Sequence, residues 1–269
     1  ELDEALRIRR EEQLPVFEKL GDLRQRAITV GNVADIYEAR GELDEALRIR
    51  REEQLPVFEK MSDLRARAIT VGQIADIYQT RGELDEVLRI RREEQLPVFE
   101  KLGDVRQRAI TVGKIAEIYE ARGELDEALR IRREEQLPVF EKLGDVRQRA
   151  ITIGQVADIY QARGELDEAL RIRREEQLPV FEKLGDVRQR AITIGQVAEI
   201  YQARGEFEEA LRIRREEQLP VFKKLGDVRQ RAITVGNIAD IYQARGELDE
   251  ALRIRREEQL PVFEKLGDV

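Results

Sequence analysis

The feature that most constrains this chain is its periodicity. The tripeptide Gly-Glu-Leu starts at Gly41, Gly82, Gly123, Gly164 and Gly246, with Gly-Glu-Phe at Gly205, so the same unit returns every 41 residues. One copy reads GELDEALRIRREEQLPVFEKLGDVRQRAITVGQVADIYQAR, with mild exchanges such as Val for Ile, Asp for Glu and Asn for Gln. Such near-identity reflects tandem duplication or consensus design, and the scattered isosteric swaps favour duplication. A unit of this size repeated in tandem cannot bury its apolar face alone. It must stack on its neighbours, which predicts a solenoid with nearest-neighbour packing.

Each unit encodes two helices. The first is predicted from about Leu43 to Leu55 and on toward Lys60, its first turn made acidic by Glu42, Asp44 and Glu45 to suit the positive helix N-terminus. The second is predicted from about Leu64 to Arg81. Asp63 stands at its N-cap, and Asp22 followed by Gln25 makes a capping-box variant in the first copy. Gly82 falls just beyond the last helical residue, where a left-handed C′ position is expected.

The second helix is apolar over most of its circumference, through Ala27, Ile28, Val30, Val33, Ala34, Ile36 and Tyr37 in the first copy. It therefore needs neighbours on several sides. Gly31 inside it costs ~1 kcal/mol against alanine, and its recurrence in later copies predicts the close approach of a neighbouring helix. The first helix carries a proline in every copy, from Pro15 to Pro261. A wide turn or kink around Gln54-Leu55-Pro56 would relieve the clash, two separate short helices being the other option; because Leu43, Ala46, Leu47, Val57, Phe58 and Met61 keep one face, one kinked helix is expected. The chain thus predicts thirteen helices and no strand: seven of the proline type and six of the Gly31 type.

The second copy, Gly41 to Arg81, holds eight acids and seven bases. Asp44–Arg48 and Asp63–Arg67 have i,i+4 pairing distance, and the run RIRREE reads as a salt-bridged surface. Arg50 and Gln54 interrupt the apolar stripe, so either their stems pack with polar ends in water or they form a repeated internal hydrogen-bond ladder.

The stretch Val33-Ala34-Asp35-Ile36-Tyr37-Glu38-Ala39-Arg40-Gly41-Glu42-Leu43-Asp44-Glu45-Ala46-Leu47 resembles the tetratricopeptide repeat. Val33-Ala34 stand at the family's leucine-glycine pair, with Tyr37, Gly41 and Ala46 at its tyrosine, turn glycine and alanine. The unit is longer than the common form of 34 residues. Val30 replaces the usual tryptophan, Arg50 stands where an aromatic is usual, and the closing proline is not at its usual place. It is similar to the roughly 40-residue variants of bacterial and signalling scaffolds. A second resemblance, carried by Gln54-Leu55-Pro56, Asp63-Leu64-Arg65 and Ala68, is to the HEAT repeat. Both imply an all-α solenoid of antiparallel helix pairs. The tetratricopeptide resemblance implies a right-handed superhelix over a single array, residues 1–269, with partial first and last units.

Catalysis is not expected. The chain has neither histidine nor cysteine, which removes the commonest general base, metal ligand and thiolate nucleophile. No GxGxxG, P-loop, HExxH or EF-hand pattern occurs. Any site would recur in every copy, unlike the singular pockets of enzymes. Tyr37 and its equivalents read as core aromatics, and no cofactor or metal is implied. The net charge of −8 argues against nucleic acid, and no apolar run reaches membrane-spanning length. A cytoplasmic location is expected. Because the chain starts at Glu1, it is expected to be part of a longer protein.

What remains is a protein- or peptide-binding scaffold, with a structural spacer or the sensor arm of a bacterial signalling or defence protein as alternatives. The polar stripe of the second helix, Thr29, Asn32, Asp35 and Glu38, is where the resemblance puts the concave ligand face. The candidate residues are one varied column, Asn32, Gln73, Lys114, Gln155, Gln196 and Asn237, and one acidic column, Asp35, Asp76, Glu117, Asp158, Glu199 and Asp240. Such a wall focuses negative potential, so a basic extended ligand is expected. Lys114 is the sole cation in these columns. Leu2, Ala5 and Leu6 at one end and Leu260, Phe263 and Leu266 at the other keep the internal sequence, which predicts end-to-end or side-by-side self-association.

Overall fold

The computed structural model describes residues 1–267, and among them every regular element is helical. Among the described residues the rods number thirteen, seven with proline and six without. They fall into two compact units, residues 1–131 and 132 onward, built from the same repeat.

The first helix of a repeat is one rod in three parts. In the second copy an α-helical Leu43–Arg48 passes into a π-helical Ile49–Gln54 and then an α-helical Leu55–Lys60. The π turn is how the sequence accommodates Pro56. A wider turn draws the preceding carbonyls away from the pyrrolidine ring, and the missing N–H no longer interrupts a tight ladder. The adjustment sits on Gln54, whose φ opens to −89° while Leu55 stays at −58°. The rod is therefore continuous, with a wide turn where the proline demanded one.

The second helix runs Leu64–Thr80, capped at its start by the Asp63 carboxylate, which accepts from the Ala66 N–H at 3.0 Å. Asp22 caps Leu23–Ala39 by accepting from the Gln25 N–H. At the other end Gly82 takes φ +77°, and its N–H and that of Glu83 close on Gln79 and Tyr78 carbonyls, a left-handed stop that a side chain would strain.

The core of the first unit gathers Val30, Val33, Ala34, Tyr37, Ala46, Ile49 and Ile77. The second gathers the equivalent residues, from Ile194, Val197, Ala198 and Tyr201 through Ile241. Alanines at full burial, such as Ala34, Ala46, Ala198 and Ala210, let helix backbones approach. Tyr78 is buried with two guanidinium groups over its ring, Arg51 at 5.3 Å and Arg81 at 5.9 Å from the centroid. The repeating tyrosine is thus a packed, cation-stacked core residue.

Three expectations change. Ile28 is only partly buried, and its equivalents Ile69 and Ile233 are exposed. Thr29 is buried, its hydroxyl donating to the Gln25 carbonyl at 2.9 Å, so it leaves the polar stripe. The two i,i+4 pairs are replaced. Asp44 pairs with Arg81 and Asp63 with Arg24, while Arg48 turns to Glu45 and Arg67 to Glu59. Pairing to a neighbouring helix wins because its cations end beside these carboxylates. Leu2, Leu260 and Leu266 are exposed, whereas Ala5, Leu6 and Phe263 are half-buried. No helix among the described residues is long and apolar enough to cross a membrane.

Candidate ligand-binding clefts on the second helices

Arg50, set in the π turn, is 1% exposed, and Arg91, Arg173 and Arg214 are buried as deeply. Each guanidinium is shared among helices. Arg50 Nη2 donates to Asp35 on the preceding second helix and Nε to Glu38 at 2.9 Å. Its Nη1 donates to Gln54 on its own helix at 3.2 Å and to Gln73 on the following second helix at 2.9 Å. Arg91 and Arg173 bind Asp76 and Asp158 in the same way, and Arg214 reaches Glu199 at 3.2 Å. The glutamine then closes the circuit: Gln95 and Gln177 donate to the carbonyls of Ala68 and Ala150 at 3.2 Å. Of the two readings of the Arg50–Gln54 seam, the ladder is the one that forms. Burial pushes the guanidinium pKa of Arg91, Arg173 and Arg214 down, while the facing carboxylates pull it back up.

The glycine column belongs to this circuit. A Cβ on Gly31, Gly72, Gly154, Gly195 or Gly236 would fall inside contact distance of the glutamine amide from the next first helix. The close approach expected at Gly31 is therefore to a side-chain amide.

The ladder is unevenly satisfied. Arg50 Nε has Glu38, whereas Nε of Arg91, Arg173 and Arg214 is buried without a hydrogen-bond partner. The matching positions there are Gln79, Gln161 and Gln202. Replacing Gln79 or Gln161 by Glu is expected to raise stability by about 0.5–1.5 kcal/mol, by supplying the missing acceptor. Urea denaturation of each variant checks this, and a loss of stability would contradict it.

The ladder also claims the acidic column. Asp35, Asp76, Asp158, Glu199 and Asp240 each pair with an arginine of this chain, and Glu117 is half-buried and acts on Arg91. The carboxylates still reach solvent, Asp158 being half exposed. In the varied column Gln73 and Gln155 accept from Arg50 and Arg132, and Lys114 donates to both oxygens of Asp76 at 2.8 and 3.0 Å. Asn32, Gln196 and Asn237 are half-buried.

Between successive second helices the surface opens into clefts. One of about 270 Å³ is lined by Ile28, Asn32, Asp35, Phe58, Ile69 and Gln73, among others. Another of about 230 Å³ holds Ile69, Gln73, Asp76, Phe99, Ile110 and Lys114. In the second unit a third of about 140 Å³ holds Ile151, Gln155, Asp158, Phe181, Ile192 and Gln196. The clefts join both predicted columns to an isoleucine column that sequence reasoning had assigned to the core. The signal was available: Ile69, Gln73 and Asp76 follow i, i+4, i+7 spacing and so share one helix face.

Comparison with known proteins agrees with this geometry. The tetratricopeptide repeat family matches residues 157–175, 198–216 and 237–257. Each match spans the end of a second helix, the left-handed glycine and the start of the next first helix. No curated protein matches. Among solved structures, a kinesin light chain-like protein of Podospora anserina with nearly identical tetratricopeptide-like repeats is 21% identical. It covers 76% of this chain and 97% of its own, with a TM-score of 0.60. A signal-transduction ATPase with numerous domains and a tetratricopeptide repeat sensor, from Pyrococcus horikoshii, is 17% identical at TM-score 0.67, covering 90% of this chain and 38% of its own. A Rap protein complexed with competence and sporulation factor is 13% identical at TM-score 0.57, covering 91% and 80%. At these identities the likeness is one of fold. The chain has the fold of an array of tetratricopeptide-like helix pairs.

Proposed function

We propose that this chain is a non-catalytic scaffold that binds a protein or peptide partner as an extended segment laid across the clefts of its second helices. The observation that carries the reading is the recurrence of one cleft, with isoleucine, phenylalanine and amide lining, at equivalent places in both units. An apolar floor with a few polar groups at its rim is the usual make-up of a binding site, and regular spacing suits a ligand that reaches several clefts at once. Both units carry the same repeat, which supports reading residues 1–269 as one binding array.

The basic ligand suggested by the acidic column keeps part of its support. Asp158 engages Arg173 through one oxygen and stays half exposed, so a cationic side chain next to a cleft can meet it. Asp76, already shared by Arg91 and Lys114, is a weaker attractor. A sensor arm governing an attached effector is the second reading. Its support is the fold likeness to the Pyrococcus ATPase with a tetratricopeptide repeat sensor.

The test is selection from a random peptide library, followed by binding to a variant carrying Ile69→Asn, Ile110→Asn and Ile151→Asn. Selected peptides are expected to lose about tenfold or more in affinity, about 1.4 kcal/mol, with the thermal midpoint of the variant close to that of the parent. Basic peptides among them should weaken as salt rises. A library that yields no enriched peptide, or peptides that bind the variant equally well, refutes the reading.

A further inference from the structure

The repeat is regular, but its clefts are not. Three positions facing each cleft decide how much room it has: two in the varied column and one in the first turn of the later second helix. In the cleft of about 230 Å³ these are Gln73, Lys114 and Gln107, and in that of about 140 Å³ they are Gln155, Gln196 and Gln189. In the cleft of about 270 Å³, between Leu23–Ala39 and Leu64–Thr80, they are Asn32, Gln73 and Ala66. Ala66 stands where all five other second helices carry glutamine. Both exchanges shorten a side chain, and both open the same cleft onto Ile28, Phe58 and Ile69.

Charge sets this cleft apart as well. Arg50 is shared by Asp35 and Glu38, and Arg24 at the rim is matched by Asp63, so two cations meet three carboxylates. Asp35 engages Arg50 through one oxygen and is 54% exposed. In the next cleft Lys114 closes on both oxygens of Asp76, and with Arg91 it balances Asp76 and Glu117. In the second unit Asp158 is open to solvent, but it stands beside the cleft with the least room of the three.

Given the peptide-binding reading on which this rests, we propose that the cleft opened by Asn32 and Ala66 anchors the ligand. It takes one aromatic side chain with a basic residue beside it. A cavity of roughly 150 Å³ holds benzene, so a ring and its methylene enter here and pack against Phe58 and the two isoleucines. The basic neighbour meets the second oxygen of Asp35. Clefts all of one kind would let an extended segment slip by a whole repeat at no cost. A single cleft that accepts the ring, next to one closed by Lys114, sets one register. Asn32 and Ala66 are then the residues that determine specificity.

Methyl NMR of the whole chain titrated with N-acetyl-phenylalanyl-arginine amide tests this. The Ile28 and Ile69 methyls should shift, with Ile110 and Ile192 nearly still. Restoring the repeat's own side chains, Asn32→Gln with Ala66→Gln, should weaken binding about tenfold or more, while circular dichroism shows the fold kept. Gln107→Ala with Lys114→Asn should bring Ile110 into the response. The analogue N-acetyl-phenylalanyl-glutamine amide should bind about two- to fivefold more weakly at low salt. Equal shifts at Ile28, Ile110 and Ile192, no shift at Ile28, unchanged affinity of the Asn32→Gln, Ala66→Gln variant, or equal binding of the glutamine analogue overturns the proposal. If library-selected peptides nonetheless lose affinity for the isoleucine-to-asparagine variant, the scaffold reading survives that result. If no peptide is enriched either, both fall.

Discussion

Asp158→Ala is expected to destabilise the chain by about 3–5 kcal/mol, and Arg173→Met by only about 1–3 kcal/mol. The asymmetry follows from where the two charges sit. Arg173 is fully buried, whereas the Asp158 carboxylate is half exposed. Removing the acid strands a guanidinium that has lost its hydrogen-bonded counter-charge, with only Glu199 still acting on it and no access to water. Removing the base frees a carboxylate that water can solvate, and the main loss is the Arg173 bond to Gln177, 2.7 Å long. Urea denaturation of the two single variants measures both values. Arg173→Met costing nothing would end the claim that the ladder holds neighbouring helices together. Arg173→Met costing more than Asp158→Ala would place the penalty on the wrong partner.

The second large effect reverses sign with context. Gly154→Ala is expected to destabilise by about 1–3 kcal/mol, although alanine is the better helix former by ~1 kcal/mol. The added methyl displaces the Gln177 amide, breaking its bonds to Arg173 and the Ala150 carbonyl, each a buried bond whose loss leaves a polar group unpaired. In a Gln177→Ala background nothing blocks the methyl, and the same substitution should then stabilise by about 1 kcal/mol. A double-mutant cycle reads the coupling directly. Equal effects in the two backgrounds would show that the glycine is kept for some other reason.

The architecture was legible wherever the cause is local. Asp63 and Gly82 mark helix ends by chemistry that acts within a few residues, and Pro56 announced a widened turn because its ring clashes with its own helix. Periodicity, joined to polar residues on an apolar stripe, also exposed the seam of Arg50 and Gln54. What the sequence did not disclose was the seam's partners. Asp35 lies fifteen residues before Arg50 and Gln73 twenty-three after it, and only the crossing of the helices brings them together. For the same reason the acidic column looked like free groove charge when Asp35, Asp76, Asp158 and Glu199 meet buried arginines. Ile69 was misplaced because apolarity argues for burial only when a neighbour covers the residue, and coverage is set by how far apart successive second helices stand.

The arginine bracket has a genetic corollary. In the second copy, Arg50 and the groups it holds, Asp35, Glu38, Gln54 and Gln73, all lie between one second helix and the next. No bond in that bracket depends on how many repeats precede or follow. Unequal recombination that removes or adds whole 41-residue segments of coding sequence would rejoin one bracket to another, with the arginine, its carboxylate and its glutamine still facing one another at the seam. Such an array can change its length between generations while leaving each junction chemically intact. Cuts that are not whole multiples of the repeat would orphan a buried guanidinium and be eliminated.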